Sequence, residues 1–247
     1  MVFEYRAPDW AQYRMDYRRP FAQLESIENE IRVVDEALAV LVDANILPHK
    51  NYDPDQFLRF RQAVQQTFDI PWTAISPRVQ RLLWAINAIA QPRTVLAAGI
   101  FCGFTFALNI GAAAGPGACY QANDLVGIEI KPAEAARAEQ NIRQIDPEGK
   151  ARVVAADAVD FLRTYPNEVS LLYLDADGTP EKGKGIYLEI LEAGYNRIPS
   201  GGIVLAHNSV NARRRLEDYL AYVRDPVRFR ASVNVILDPE GLEASIK

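Results

Sequence analysis

Thr94-Val-Leu-Ala-Ala-Gly-Ile-Phe-Cys-Gly-Phe-Thr105 is the stretch that decides the fold of this 247-residue chain. A short apolar run enters a turn carrying Gly99 and Gly103, and an apolar helical stretch follows over 104–114. Strand, glycine turn and helix in that order open a strand-helix-strand unit. The second strand is 125–130, and Pro132, suited to a first helical turn, opens a helix rich in Ala and Glu to about residue 145. Three more strands follow at 151–156, 169–174 and 202–206, each succeeded by helical sequence. Near the end, 229–237 and 242–246 flank Asp238-Pro-Glu-Gly241, a turn signal that predicts an antiparallel hairpin. The expected fold is α/β: a doubly wound, mostly parallel, seven-stranded sheet that closes with this hairpin.

Residues 1–70 read differently, with no glycine and no strand pattern, and are expected to form a helical cap on a second unit spanning 71–247. Leu24, Ile27, Ile31, Val34, Leu38 and Leu41 recur at steps of three and four, which predicts one long helix ending by Pro48. Its narrow seam packs either on its own chain or against the same helix of a second copy, so a homodimer through these helices stays open. Asp53 caps a second helix bearing Phe57, Phe60 and Val64, and Ser76-Pro77 starts a third. Ahead of them, Trp10, Tyr13 and Tyr17, interleaved with Arg6, Arg14 and Arg18, would share a helical face. Such a face could form an active-site lid or a docking surface.

Composition excludes several classes. With 49% apolar and 24% charged residues the chain has material for a sizeable core, and no window approaches the roughly 18 apolar residues of a membrane span. A formal charge of −5 argues against nucleic acid as partner and favours a small molecule. Only Cys102 and Cys119 are present, and no apolar leader follows Met1, so a cytoplasmic location is expected. His49 and His207 are too few for a histidine cluster.

The order of the 94–105 stretch, Gly127-Ile-Glu-Ile130, Ala156-Asp-Ala158, Leu174-Asp-Ala-Asp-Gly178 and Ser200-Gly-Gly-Ile-Val-Leu-Ala-His-Asn208 resembles the class I S-adenosylmethionine-dependent methyltransferases. Within that class it is most similar to the catechol and caffeoyl-CoA O-methyltransferase group, over about residues 70–247. The resemblance implies a Rossmann-like methyltransferase sheet and S-adenosylmethionine as co-substrate.

The residues support that cofactor physically. Gly99 and Gly103 let backbone approach a ligand closely, and the helix start beyond them suits a carboxylate. The resemblance gives Thr105 a share in holding the methionine carboxylate and puts Phe101 beside the cofactor. Glu129, ending the second strand, is placed to accept both ribose hydroxyls. Asp157 is placed to accept the adenine amino group or to cap a helix, with Ile130 packing the ring and Ala158 alongside. The Gly99-x-x-x-Gly103 spacing lacks the three close glycines of a dinucleotide fingerprint.

The chemistry-bearing positions depart from the group. Its metal-dependent members bind magnesium through an aspartate after the fourth strand and an Asp-Asn pair after the fifth, with a lysine as base. Asp175 and Asn208 are retained, but His207 replaces the second aspartate and Gly178 falls where the lysine would stand. A hard ion wants anionic oxygen ligands, so magnesium is not carried over. Asp175, His207 and Asn208 remain candidate ligands for a softer metal; otherwise His207, with Asp175, serves as a metal-free base or anchor, or His207 is structural. Ala97 stands where the group often has a glutamate near the methionine amine. Three outcomes follow: methyl transfer to a small molecule, intramolecular cyclisation of the cofactor to azetidine-2-carboxylate and methylthioadenosine, or a non-catalytic binding module.

Overall fold

The structure, a computed structural model, describes residues 2–247; Met1, the first residue of the expected cap, lies outside them. Strands β2 (Thr94–Ala98), β3 (Asp124–Glu129), β4 (Ala151–Ala155), β5 (Leu171–Leu174) and β6 (Ile203–His207) are parallel, and β8 (Leu242–Ile246) runs antiparallel between β6 and β7 (Ala231–Ile236). All seven expected strands are present. An eighth was not expected: β1 (Val2–Arg6) pairs parallel with β7 at the sheet edge, giving the order β1-β7-β8-β6-β5-β2-β3-β4. The alternation Phe3, Tyr5 inward and Glu4, Arg6 outward is too short to read as a strand, and its partner lies at the far end of the chain.

Helices cover both faces, as alternation along the strands requires. Val95 and Ala97 of β2 join one apolar cluster with α1 (Ile27–Asp43), α2 (Pro54–Thr67), α3 (Pro77–Ala90), α4 (Phe104–Ile110) and α5 (Pro132–Ile145). Leu96 and Ala98 join the opposite cluster with α6 (Ala158–Thr164), α7 (Ile186–Gly194) and α8 (Glu217–Val223). The α1 seam is thereby used within the chain: Val34, Leu38 and Leu41 are fully buried, while Leu24 and Ile27 stay exposed. Ser26 caps α1 by accepting from the Asn29 amide, so the helix begins after Leu24. No helix among the described residues is long and apolar enough to cross a membrane.

Residues 7–26 form turns rather than the expected helix. The aromatic rings that would have shared a face take arginines instead: Arg6 lies over Trp10 at 5.6 Å and Arg78 over Tyr13 at 3.7 Å. Arg78, fully buried in α3, also donates to Asp9 and Glu25, and Gln80 Nε2 donates to the Pro20 carbonyl at 2.8 Å. The segment is thus a strap stitched to α3, and of the three aromatic residues only Tyr17 reaches the cleft described next.

Candidate active site

The strand order reverses between β2 and β5, where open α/β sheets place their ligands. A cleft of about 850 Å³ opens there, over the carboxyl ends of β2 through β6. Gly99, with φ +78°, begins its floor; a Cβ at this position would lie 2.2 Å from the Ala176 Cα, so the β2 turn can pass the β5 end only as glycine. Phe101 and Gly103 also take positive φ, and Thr105 lies in the first turn of α4, which has no side-chain cap.

Glu129 organises this turn. Its Oε2 accepts from the Phe101 amide at 2.9 Å and its Oε1 from the Lys131 amide at 3.1 Å, which fixes the carboxylate at the end of β3 with lone pairs still free toward the cleft. Beside it Ile130 is 57% exposed, an apolar side chain held in the cleft wall. Asp157 does cap α6: its Oδ1 accepts from the amides of Val159 at 2.8 Å and Asp160 at 3.2 Å, and Ala158 follows on the same wall. The structure therefore gathers Gly99, Phe101, Thr105, Glu129, Ile130, Asp157, Ala158 and Asp175 around one cleft. Gly103 supports it from behind, against Ala138.

Asp175 sits at the centre. His207 Nδ1 stands 3.5 Å from its Oδ1, and Tyr173 and Tyr187 hydroxyls donate to it at 3.3 and 3.4 Å. Lysine is not lost from the site, despite Gly178. Lys184, nine residues beyond Asp175, donates from Nζ to the Asp175 Oδ1 and to its carbonyl, both at 2.9 Å. Nothing in a linear spacing marks this lysine, because the turn through Gly183 brings it back. Burial alone would raise the Asp175 pKa, but the Lys184 and His207 charges override it and bring it down to about 2. For His207, burial opposes protonation, and the Asp175 carboxylate outweighs it, so its pKa lies above the ordinary 6.5. The His207 Nε2 is buried without a hydrogen-bond partner.

Asn208, with φ 68°, turns away from Asp175 and donates from Nδ2 to Glu240 at 3.4 Å. Among the described residues no group of three or more His, Cys, Asp or Glu is placed to hold a metal ion. The candidate set Asp175, His207, Asn208 does not fit one: its single carboxylate already carries an ammonium, and its amide faces elsewhere. Two further lining residues, Trp72 and Asn211, escaped the sequence reading, whereas Tyr17 belongs to the aromatic residues of the expected lid or docking face. Trp72, half exposed, lies 5.2 Å from the Phe101 ring, and Asn211 and Tyr17 both donate to Glu240.

The two shifts set a pH window. The His207 pair contributes stability in full below about pH 6.5 and loses it as pH rises through the higher folded value. The Asp175 contribution is present above its ordinary 3.8 and is lost as pH falls toward 2. The difference in melting temperature between the wild type and His207→Gln is therefore expected to be largest near about pH 5 and to shrink above about pH 6.5. A pH-independent difference would mean that the imidazole is neutral throughout.

No family model matches the chain, and no curated protein matches it in sequence. Solved structures do match. The S-adenosylhomocysteine-bound methyltransferase of Podospora anserina aligns over 91% of this chain and 98% of its own, with TM-score 0.60 and 14% identity. The Streptomyces achromogenes O-methyltransferase TomG, involved in tomaymycin synthesis and solved with S-adenosylmethionine, covers 90% of this chain and 99% of its own at TM-score 0.58 and 16% identity. The Bacillus cereus O-methyltransferase in complex with S-adenosylhomocysteine covers 96% and 98%, at TM-score 0.53 and 16% identity. These alignments take in more of the chain than residues 70–247, so part of the N-terminal seventy belongs to the shared architecture. At such identities the similarity is one of fold, and the fold of this chain is that of the class I S-adenosylmethionine-dependent methyltransferases.

Proposed function

We propose that the protein is an S-adenosylmethionine-dependent enzyme that transfers the methyl group to a small-molecule acceptor. The observation that carries this reading is the Glu129 carboxylate, fixed by two backbone amides at the end of β3 and facing a cleft at the switch point. Glu129 would accept the two ribose hydroxyls, Ile130 and Phe101 would pack the adenine, and Asp157 with Ala158 would border its amino edge. Gly99 and Gly103 admit the methionine arm, and the Thr105 hydroxyl would donate to its carboxylate. The acceptor atom attacks the methyl carbon in line, the carbon–sulfur bond breaks with its electron pair going to sulfur, and S-adenosylhomocysteine leaves. Asp175, with a pKa of about 2, is too weak a base to assist; it orients His207, whose unpartnered Nε2 takes the acceptor proton above the raised imidazole pKa.

A second reading, cyclisation of the cofactor, is favoured by one feature. Ala97 supplies no carboxylate at the turn, and the Asp175 charge is already engaged by Lys184 and His207, which leaves the methionine amine short of a counter-charge. That amine would attack its own γ-carbon and expel methylthioadenosine. Incubation with S-adenosylmethionine, with and without a panel of small acceptors, separates the readings by product. S-adenosylhomocysteine formed only when an acceptor is added is the expected result, unchanged by EDTA. Methylthioadenosine with azetidine-2-carboxylate from the cofactor alone would replace methyl transfer by cyclisation. Tight cofactor binding with neither product would leave a binding module.

A further inference from the structure

A second chamber of about 560 Å³ adjoins the cleft and shares Tyr17, Ala74, Asn211 and Glu240 with it. Its remaining walls come from the strap (Tyr13, Arg14, Met15), from Ser76, and from Asp238 and Pro239 of the β7–β8 turn. Among the four shared residues, Glu240 is bonded to two of the others and to Asn208. Its Oε1 accepts the Tyr17 hydroxyl at 2.5 Å, and its Oε2 accepts the amides of Asn208 and Asn211.

Glu240 is buried, and all three of these donors are neutral. None of the cationic residues lining the two spaces, Arg14, Lys131, Lys182, Lys184 and His207, forms an ion pair with it among the described residues. Arg14, on the chamber wall, gives its Nε to the Ala11 carbonyl; its charge is felt at Tyr17, but it makes no ion pair with Glu240. Lys184, on the cleft side, is held by Asp175 and Asp177. The other buried carboxylates are held in one of two ways: Glu30 has Arg61 and Arg81 and Glu243 has Arg224, while Glu129, Asp146 and Asp238 accept from backbone amides. The Glu240 carboxylate has neither a cation nor a backbone amide among the described residues. A buried carboxylate without a counter-ion is costly, and a cation entering from the cleft would lower that cost.

An independent observation points to the same ligand. His207 lines the cleft, is 1% exposed, spends its Nδ1 on Asp175 and leaves its Nε2 unpartnered. It directly precedes Asn208, whose amide is bonded to Glu240. A carboxylate without a cation and an imidazole nitrogen without a hydrogen-bond partner, lining the same cleft, suit a group with several N–H donors and a positive charge.

Resting on the methyltransferase reading above, we propose that this junction is the acceptor subsite and that the acceptor is a small protonated amine. Its ammonium lies between Glu240 and His207, and its apolar body lies in the chamber against Tyr13, Met15 and Pro239. Above the raised pKa of His207 its imidazole is neutral, and the bound ammonium gives one proton to the Nε2. The freed nitrogen pair then attacks the methyl carbon as the carbon–sulfur bond breaks toward sulfur. The methylated ammonium and S-adenosylhomocysteine leave, and His207 returns the proton to solvent.

The test is calorimetric titration of the full chain, with S-adenosylhomocysteine present and absent. The probes are two amine–alcohol pairs, butylamine with 1-butanol and phenethylamine with 2-phenylethanol. At least one amine is expected to bind about tenfold or more tightly than its alcohol. In Glu240→Gln that preference should fall below about threefold while S-adenosylhomocysteine affinity is kept, and Glu240→Asp should retain it. Equal binding of amine and alcohol by the wild type overturns the proposal without any variant, so a misfolded variant does not shield it. A preference surviving in folded Glu240→Gln overturns it too. Amine preference without any S-adenosylhomocysteine binding would leave the amine site standing and remove the cofactor reading instead.

Discussion

Glu129→Ala is expected to raise the dissociation constant for S-adenosylhomocysteine by at least about a hundredfold. Hydrogen bonds to a charged group contribute about 1.5 to 3 kcal/mol each, and two ribose hydroxyls would lose theirs together. The loss does not stop at the ligand. The Phe101 and Lys131 amides, which hold the turn through the same carboxylate, lose their acceptor, so the pocket itself loosens. Glu129→Gln separates the two effects, since its amide oxygen can still accept from one backbone N–H while the charge is gone. Calorimetry on both variants checks the prediction; affinity within about threefold of wild type in Glu129→Ala would mean that the nucleoside lies elsewhere.

The largest effect on stability is expected far from the cleft, at Glu30. This buried carboxylate accepts from Arg81 Nε at 2.6 Å and from both terminal nitrogens of Arg61, at 3.0 and 2.8 Å, and so ties α1 to α2 and α3. Arg81 is fully buried and its terminal nitrogens have no other partner. Glu30→Ala strands two guanidinium groups beneath the surface, and removing one member of a buried ion pair costs about 3 to 5 kcal/mol. Urea denaturation followed by circular dichroism reads this directly. A loss under about 1 kcal/mol would show that water enters to hydrate both arginines.

Glu30 also illustrates where sequence ceases to be informative. Its position in the first turn of α1 reads as an ordinary exposed helix-start acid, and only the arrival of α2 and α3 makes it a buried hub. The parallel strands were legible because strand and helix periodicities differ and every element from β2 onward follows its predecessor closely. The β1 strand was not, because its partner lies more than two hundred residues away and five residues carry little pattern. Glu129, Asp157 and the glycine turn could be placed because each ends or follows a strand, where the fold itself fixes the position. Lys184, Trp72 and Glu240 come from irregular segments, whose paths depend on packing that no local pattern encodes. The strap failed as a helix for a related reason: Arg78 and Gln80 of α3 draw its backbone and rings into turns, and tertiary partners override a weak helical spacing.

The bond from Tyr17 to Glu240 joins residues 223 apart in the chain, and β1 waits on β7 in the same way. During synthesis, then, β1 and Tyr17 leave the ribosome long before the residues that hold them in place. Contacts of such sequence separation form late, because closing the loop between them must precede any gain from the contact. The parallel core from β2 to β6 can assemble while the opening stretch is still unpaired, its aromatic residues and strand edge open to other chains. Synthesis thus has a built-in order. A chain cut short before residue 240 would lack the Glu240 carboxylate and, with β8 gone, the strand that joins β7 to β6, so the sheet of an unfinished product would end at β6 on that side.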